Sequence, residues 1–294
     1  MNFRGLGSGA LVSSAIGLGT EAFTGTYGPV TTRECDRVIR TALDLGITMF
    51  DTADFYLCGE VERLLGKSLA ERRETAIIAT CGGVRVDGAG KPAAIDGSPQ
   101  FLGMACDASL RRLGTDHIDL FYLYRVDPGV PVEDSIGKLA EFVTAGKIRY
   151  VGLRAASASQ LYRAQATHPI STLAVEYSLL DRSAETESMA LAAELGVGIV
   201  ACCPLGRGLL TGHASATAPE CYRAALRVIE TEAAELDLGT ARLALAWLLA
   251  SRDDVVPIPS TRSPAHIEMN ASVPRIRLSA DTCARLAQIF PGTL

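Results

Sequence analysis

Short apolar runs alternate with longer amphipathic segments from one end of the chain to the other. Eight of the runs are near-continuously hydrophobic, a pattern typical of parallel strands that helices cover on the outside. The predicted strands span residues 15–20, 47–51, 76–80, 118–123, 148–153, 172–176, 198–203 and 255–258.

The segments between these runs carry the spacing of amphipathic helices. Residues 33–45 place apolar side chains on one face, and residues 132–145 do the same and are followed by Gly146, a residue suited to end a helix. Residues 240–249 are strong helix formers, and residues 279–289 open with a serine in the position of a helix cap.

Eight strands, each followed by a helical segment, predict a closed (β/α)8 TIM barrel and not an open sheet. Right-handed crossover connections would bring the carboxyl end of every strand to one rim, where such barrels hold their chemistry. No linker-like tract divides the chain, so we predict one domain over residues 1–294.

Composition narrows the range of partners. The chain is 48% hydrophobic and 21% charged, with a net charge of −5 and no run of basic residues, which argues against nucleic acid and anionic membranes as partners. No apolar stretch is long enough to cross a bilayer, and the first ten residues do not resemble a secretion signal, so we expect a cytoplasmic protein. The eight cysteines are scattered without metal-ligand spacing, so we expect no metal site.

Six sequence blocks carry a resemblance to a known family. They occupy residues 50–66, 119–128, 145–153, 176–179, 204–212 and 243–247. Their residues and their order are similar to those of the aldo-keto reductases, and the similarity covers nearly the whole chain. The sequence is therefore identified as a divergent member of that family, which implies the same barrel.

The resemblance implies a catalytic tetrad of Asp, Tyr, Lys and His, in which the Tyr hydroxyl protonates a carbonyl while NADPH delivers hydride. Asp51 and Tyr56 match the first two positions, but Cys81 replaces the Lys and Tyr124 replaces the His. Without the ammonium group, Tyr56 loses the cation that lowers its pKa and Asp51 loses its ion-pair partner. We therefore expect Asp51 to titrate above its usual value of about 4 and to be able to act as an acid or base.

The resemblance also locates a nicotinamide pocket whose residues have changed. Arg154 and Ala155 stand where relatives hold the carboxamide with a Ser and a polar neighbour, Ala174 replaces an amide side chain, and Cys202 replaces a stacking Tyr. Each change removes a contact worth about 1 kcal/mol.

The remaining cofactor contacts are assigned from the same resemblance. The residues are Gly19, Thr20, Leu205, Gly206, Arg207, Ser260, Thr261, Arg262, Glu268 and Asn270. Arg262 suits a phosphate because a guanidinium matches its geometry. Whether NADPH still binds is left open.

Individual residues at the predicted rim have alternative interpretations. Tyr124 is either a hydrogen-bond donor to substrate or a space-filling aromatic residue, and Cys81 is either a nucleophile or a small neutral residue. Arg154 binds a substrate carboxylate, neutralises Asp51 or is a solvated rim charge. Glu21 is a candidate acid, base or substrate contact at the end of the first strand.

Three functions are compatible with these residues. We predict an enzyme that uses the reductase pocket for non-redox acid/base chemistry on a small carbonyl- or hydroxyl-bearing metabolite, such as elimination, isomerisation or cyclisation. The alternatives are an NADPH-dependent carbonyl reductase with a modified tetrad and a non-catalytic binding or regulatory protein on this fold. The sequence leaves the substrate and the oligomeric state open.

Overall fold

The eight predicted apolar runs form the parallel strands of a barrel in a computed structural model, which describes residues 1–8, 10–88, 90–212 and 218–289. Strands and helices are numbered here in chain order. The barrel strands, in their order around the sheet, are β3 (Leu18–Gly19), β4 (Met49–Asp51), β5 (Ile77–Gly82), β8 (Ile118–Leu123), β9 (Ile148–Arg154), β10 (Thr172–Glu176), β11 (Gly198–Cys202) and β12 (Val255–Pro257).

Main-chain hydrogen bonds between the first and the last strand region close the barrel. Gly17 N donates to Pro257 O at 2.9 Å, and Gly19 N donates to Pro259 O at 3.2 Å. A Cβ on Gly19 would lie only 2.8 Å from Ile258 O, so this close approach of two backbones requires a glycine. The prediction of a closed (β/α)8 barrel is confirmed.

Helices cover the outside of the barrel. They are α1 (Thr32–Asp44), α2 (Glu60–Leu69), α3 (Pro99–Leu113), α4 (Val132–Thr144), α5 (Ala158–Thr167), α6 (Ser188–Glu194), α7 (Glu220–Glu235), α8 (Thr240–Ser251), α9 (Pro264–Ser272) and α10 (Ala280–Ile289). The four predicted helices are α1, α4, α8 and α10, with ends shifted by one or two residues. As predicted, Gly146 adopts a left-handed conformation (φ +72°) just after α4, and the Ser279 hydroxyl accepts a hydrogen bond from Thr282 N at the start of α10.

Two hairpins outside the barrel were not predicted from the sequence. One pairs β1 (Phe3–Leu6) with β2 (Leu11–Ser14), and the other pairs β6 (Val84–Val86) with β7 (Pro92–Ile95). Leu6 and Leu11 of the first hairpin are buried in the same apolar cluster as the side chains of the barrel interior. This hairpin therefore contributes to the barrel core, although its strands have only four residues each.

Within the described part of the chain, no helix combines the length and the apolar character that crossing a membrane requires. The same residues contain no group of three or more His, Cys, Asp or Glu side chains arranged to hold a metal ion. The single domain over residues 1–294 stays a prediction.

Two helical glycines offer a matched test of packing on the barrel's outer layer. A Cβ on Gly66 in α2 would lie 2.0 Å from Leu113 O at the end of α3, whereas a Cβ on Gly137 in α4 would meet nothing within 4 Å. We expect Gly66→Ala to lower the free energy of unfolding by about 3 kcal/mol, because the backbone of α2 or α3 must move to make room for the added methyl group. Gly137→Ala should raise it by about 0.5–1 kcal/mol by favouring the helix.

Urea denaturation of both variants beside the wild type measures these changes. A loss of stability in Gly137→Ala equal to that in Gly66→Ala would show that contact between α2 and α3 is not the cause.

Candidate active site

Side chains on alternate strand positions point into the barrel, and the last of them on each strand reach its mouth. A cavity of about 480 Å³ opens there, a size that suits a small-molecule ligand. Eleven of the predicted site residues contribute to its wall: Gly19, Thr20, Glu21, Asp51, Tyr56, Arg154, Leu205, Arg207, Ser260, Thr261 and Arg262.

Asp51 is the last residue of β4 and lies almost fully buried at the bottom of this cavity. Its backbone oxygen accepts hydrogen bonds from Thr20 N at 2.9 Å and from the Thr20 hydroxyl at 3.0 Å, which fixes its position against the end of β3. Burial raises the pKa of the Asp51 carboxyl to about 6; Arg154 opposes this rise and Glu21 adds to it. The predicted upward shift is confirmed.

Arg154 places a cation beside Asp51, where the family resemblance implies the tetrad lysine. It ends β9, and its Nη1 lies 3.8 Å from Asp51 Oδ1, while its guanidinium carbon lies 5.7 Å from the centre of the Tyr124 ring. The expectation that Asp51 has lost its ion-pair partner is therefore wrong, and the alternative in which Arg154 neutralises Asp51 agrees with the structure. The tetrad lysine would come from β5, but the barrel brings a different strand, β9, to the same carboxylate.

The pair of Arg154 and Asp51 is incompletely satisfied. Among the described residues, neither Arg154 Nη1 nor Asp51 Oδ2 has a hydrogen-bond partner, although both atoms are buried. Buried polar atoms in native proteins are nearly always hydrogen-bonded, and an unpaired one is costly. These two atoms therefore have unused hydrogen-bonding capacity beside the cavity.

Tyr56 and Tyr124 lie near the pair of Arg154 and Asp51, and the ring of Phe55 contacts both of them. Tyr56 lies on a 3-10 turn (Tyr56–Gly59) after β4, and Phe55 makes edge-on contacts with both tyrosines at 5.1 Å between ring centres. Burial raises the pKa of the Tyr56 phenol, Arg154 opposes the rise, and Asp51 and Glu21 add to it. The phenol is thus a neutral hydrogen-bond donor into the cavity. Tyr124 packs beside Arg154 and is not part of the cavity wall.

The cysteines at the mouth are neutral thiols. Cys81 is completely buried in the barrel interior, outside the cavity wall, and burial raises the pKa of its thiol well above the usual value. This environment favours a small packing residue over a nucleophile. Cys202 and Cys203 do line the cavity, but burial raises the pKa of their thiols to about 12 and about 11.

Glu21 and Arg207 stand at the rim of the cavity. Glu21 opens a 3-10 turn (Glu21–Thr24) after β3. Arg207 is mostly exposed, and its Nη2 lies 2.7 Å from Glu176 Oε2, so its charge is already paired. Gly206 precedes it with a positive φ of +56° but does not contribute to the wall.

The far end of the cavity has groups suited to a phosphate. The Ser260 hydroxyl accepts a hydrogen bond from Ala22 N at 2.7 Å, and Arg262 Nη1 donates to Pro29 O at 2.5 Å. The Thr261 hydroxyl lies 3.2 Å from His266 Nδ1. These hydroxyls, the guanidinium and the start of α9 form one wall, and a helix N-terminus favours anions.

Two predicted cofactor contacts lie outside this wall, and several wall residues were not predicted. Glu268 is exposed and Asn270 is buried, both on α9, so their role in binding stays a prediction. Tyr27 and His266 line the cavity, but the sequence analysis did not select them. Tyr27 lies in a turn without a recognisable motif, and His266 lies on α9, outside the six sequence blocks that resemble the family.

The two ends of the cavity fit a nicotinamide cofactor unequally. The far end has hydroxyls and a guanidinium for phosphate groups, as described. At the other end Ala174 is buried in the barrel interior, Cys202 presents a thiol in place of an aromatic ring, and Arg154 points at Asp51. The described residues Ala174, Cys202 and Arg154 therefore differ from the amide-binding and stacking groups that the family resemblance implies at their positions.

Comparison with known proteins shows where the whole chain belongs. The family model described as "Aldo/keto reductase family" matches residues 15–290. The chain is 36% identical over 305 aligned residues to "Probable aldo-keto reductase 1" from Glycine max, with 97% of this chain and 88% of that protein covered.

Two solved structures are closely similar to this one, each with a TM-score of 0.88. One is the holo form of aldo-keto reductase AKR11C1 from Bacillus halodurans, 28% identical over 98% of this chain and 96% of that chain. The other is glycerol dehydrogenase AKR11B4 from Gluconobacter oxydans, 25% identical over 98% of this chain and 94% of that chain.

Proposed function

The chain belongs to the aldo-keto reductase family of enzymes, and we propose that it catalyses proton transfer next to a carbonyl group without a hydride step. The observation that supports this most strongly is the buried Asp51 beside Arg154, with the carboxyl pKa raised to about 6. A base is most effective when its pKa lies near the working pH, and Asp51 meets that condition.

In the proposed reaction the Asp51 carboxylate removes a proton from the carbon next to the carbonyl. The C–H bond breaks, its electron pair forms a carbon–carbon double bond, and the carbonyl electrons move to oxygen. Tyr56, a neutral phenol in the same cavity, donates a hydrogen bond to that oxygen as its charge develops. If the proton on Asp51 is first replaced from solvent, its delivery to the same carbon gives exchange. Protonation at another carbon gives isomerisation, and loss of a neighbouring leaving group gives elimination.

The nicotinamide end of the cavity supports a reaction without hydride transfer. Cys202 offers no ring for stacking. Arg154 stands where relatives have a serine hydroxyl for the carboxamide, and its side chain is directed at Asp51. Burial also raises the pKa of the Tyr56 phenol despite Arg154, whereas the pKa of the Asp51 carboxyl is raised only to about 6. Of the two groups, Asp51 is the better proton carrier at neutral pH.

A nicotinamide-dependent carbonyl reductase or dehydrogenase is the second candidate. One continuous cavity joins Asp51 and Tyr56 to Ser260, Thr261 and Arg262, which would hold the phosphates. The bound cofactor would supply hydride, and Tyr56 would hold the proton. A glycerol dehydrogenase and a holo-form reductase among the structural relatives support this candidate.

Titration with NADPH and NADH, followed by nicotinamide fluorescence, separates the two candidates. We expect either no saturable binding or binding without oxidation when carbonyl compounds are added. In parallel, proton NMR in deuterium oxide would follow exchange next to the carbonyl of 2-oxo-4-phenylbutanoate. Cofactor oxidation that depends on an added carbonyl, without protein-dependent exchange, would replace the first candidate with the second.

The rate of this exchange should depend on pH in a way that reports Asp51. The base form is required, and the pKa of Asp51 is raised to about 6, so activity should be lost as the pH falls through about 6 and should level off above it. Because Arg154 lowers this pKa, Arg154→Met should move the midpoint upward.

Exchange rates measured from about pH 5 to about pH 8 check both points. A rate that falls with increasing pH, or a midpoint that Arg154→Met moves downward, would contradict the assignment of Asp51 as the base.

The substrate is proposed to be a small molecule, as the cavity volume of about 480 Å³ indicates. The cytoplasmic location remains a prediction.

A further inference from the structure

The chemistry that Arg154 offers extends beyond neutralising Asp51. A guanidinium has five N–H donors in one plane, and it matches the two oxygens of a carboxylate. The ion-pair contact with Asp51, at 3.8 Å, is longer than a hydrogen bond and involves Nη1. That same nitrogen has no hydrogen-bond partner among the described residues.

The position of the guanidinium is held from several sides. The Arg154 backbone pairs with Ala174 of β10, and Ala155 N donates to Ala174 O at 2.9 Å, so the strand is still hydrogen-bonded where the side chain leaves it. The Tyr124 ring supports the guanidinium at 5.7 Å, and the ring of Tyr124 is itself held by Phe55. Only 21% of the Arg154 side chain is exposed, and the exposed part faces the cavity.

The other two arginines of the cavity wall are less available. Arg207 already pairs with Glu176 and is largely exposed, and Arg262 Nη1 donates to Pro29 O. Charge-assisted hydrogen bonds are strongest where water is excluded, so the buried Arg154 is the better anchor for an anion. A singly charged group is favoured over a phosphate there, because Asp51 lies beside the guanidinium and repels a second negative charge.

We propose that the substrate carries a carboxylate close to its carbonyl group and that Arg154 binds this carboxylate. The inference rests on the proposed function, since it places the acidic carbon of a keto acid next to Asp51 while Arg154 holds the adjacent carboxylate. Leu205 and Ile258 give the cavity wall some apolar surface, which suits the aryl or alkyl part of such a substrate. The substrate class is therefore a keto acid.

Two probes that differ only in the carboxylate test this assignment. 2-Oxo-4-phenylbutanoate has the carboxylate, and 4-phenyl-2-butanone has a methyl group in its place. By isothermal titration calorimetry we expect the wild-type protein to bind the keto acid about 10- to 100-fold more tightly than the ketone. Arg154→Met should abolish that preference, and Arg154→Lys should retain part of it.

Arg125 provides the matched control variant. Its guanidinium carbon also lies over the Tyr124 ring, at 5.9 Å, but it is exposed and outside the cavity wall. Arg125→Met should leave the preference for the keto acid unchanged. Thermal unfolding of each variant identifies any that has lost its fold, and in that case the wild-type preference and Arg154→Lys still decide.

Equal binding of the two probes, or a preference that survives in Arg154→Met, would overturn the proposal. Tighter binding of phenyl phosphate than of the keto acid, abolished by Arg154→Met, would overturn the carboxylate in favour of a phosphate. The test is a binding test, so it is separate from catalysis. A carboxylate preference without deuterium exchange would support Arg154 as an anion site and overturn the proposed proton transfer. Deuterium exchange without a carboxylate preference would support proton transfer and overturn the role of Arg154.

Discussion

Replacing Asp51 with asparagine is expected to lower the rate of carbonyl-adjacent deuterium exchange by about 10³-fold, within the range typical of general-base catalysis. Asparagine keeps the size of the side chain but cannot accept a proton. Binding of 2-oxo-4-phenylbutanoate should persist or tighten, because the substitution removes a negative charge beside Arg154. Exchange rates by NMR and affinities by calorimetry measure the two effects separately.

Asp54 provides the control for this experiment. It lies three residues further along the chain, and its carboxyl pKa is also raised, to about 7, chiefly by burial and then by Glu62. It does not line the cavity. Asp54→Asn should therefore keep most of the exchange activity. Full activity in Asp51→Asn would show that Asp51 is not the base, and an equal loss in both variants would point to the fold and not to the chemistry.

Replacing Arg112 with methionine is expected to lower the free energy of unfolding by about 3–5 kcal/mol, the usual cost of breaking a buried ion pair from one side. Glu62 is completely buried, and its oxygens accept hydrogen bonds from Arg112 Nε at 2.5 Å and from the Thr80 hydroxyl at 2.7 Å. These contacts join α2, α3 and β5. Without Arg112 the Glu62 carboxylate remains buried with an uncompensated charge.

The exposed pair of Arg63 and Glu60 on α2 provides a comparison for this loss. Their contact at 3.2 Å lies on the surface, so Arg63→Met should change stability by less than about 0.5 kcal/mol. Adding Glu62→Gln to Arg112→Met removes the uncompensated charge and should restore part of the loss. Denaturant unfolding of the three variants checks this. An Arg112→Met protein as stable as the wild type would exclude the pair as a link between the helices and the barrel.

The fold could be predicted from the sequence because its signals are local. Parallel strands buried on both faces need continuous apolar runs, so β8 and β10 have the predicted ends at Ile118–Leu123 and Thr172–Glu176. The first strand is shorter than predicted, Leu18–Gly19, although Gly17 and Gly19 also donate hydrogen bonds to residues at the end of β12. The hairpins were missed because their strands are short and lie beside the barrel instead of in it.

The composition of the candidate site could be predicted only in part. Asp51 and Tyr56 were located by the family motif, and Arg154 was selected because a charge at a strand's end is unusual. The sequence offered three alternatives for Arg154, among them neutralisation of Asp51, but it could not choose between them. Residues about a hundred positions apart meet here, and no local pattern records that contact.

The sequence by itself determined the barrel, the family and the identity of the polar side chains at its rim. These properties depend on hydrophobic periodicity, on strand order and on short motifs, all of which lie within a few neighbouring residues. Only the tertiary structure decided that Arg154 pairs with Asp51 on the support of the Tyr124 ring. Closing a barrel sets distances between strands that are far apart in the chain, and those distances determine the charge and the pKa at the Asp51 carboxylate.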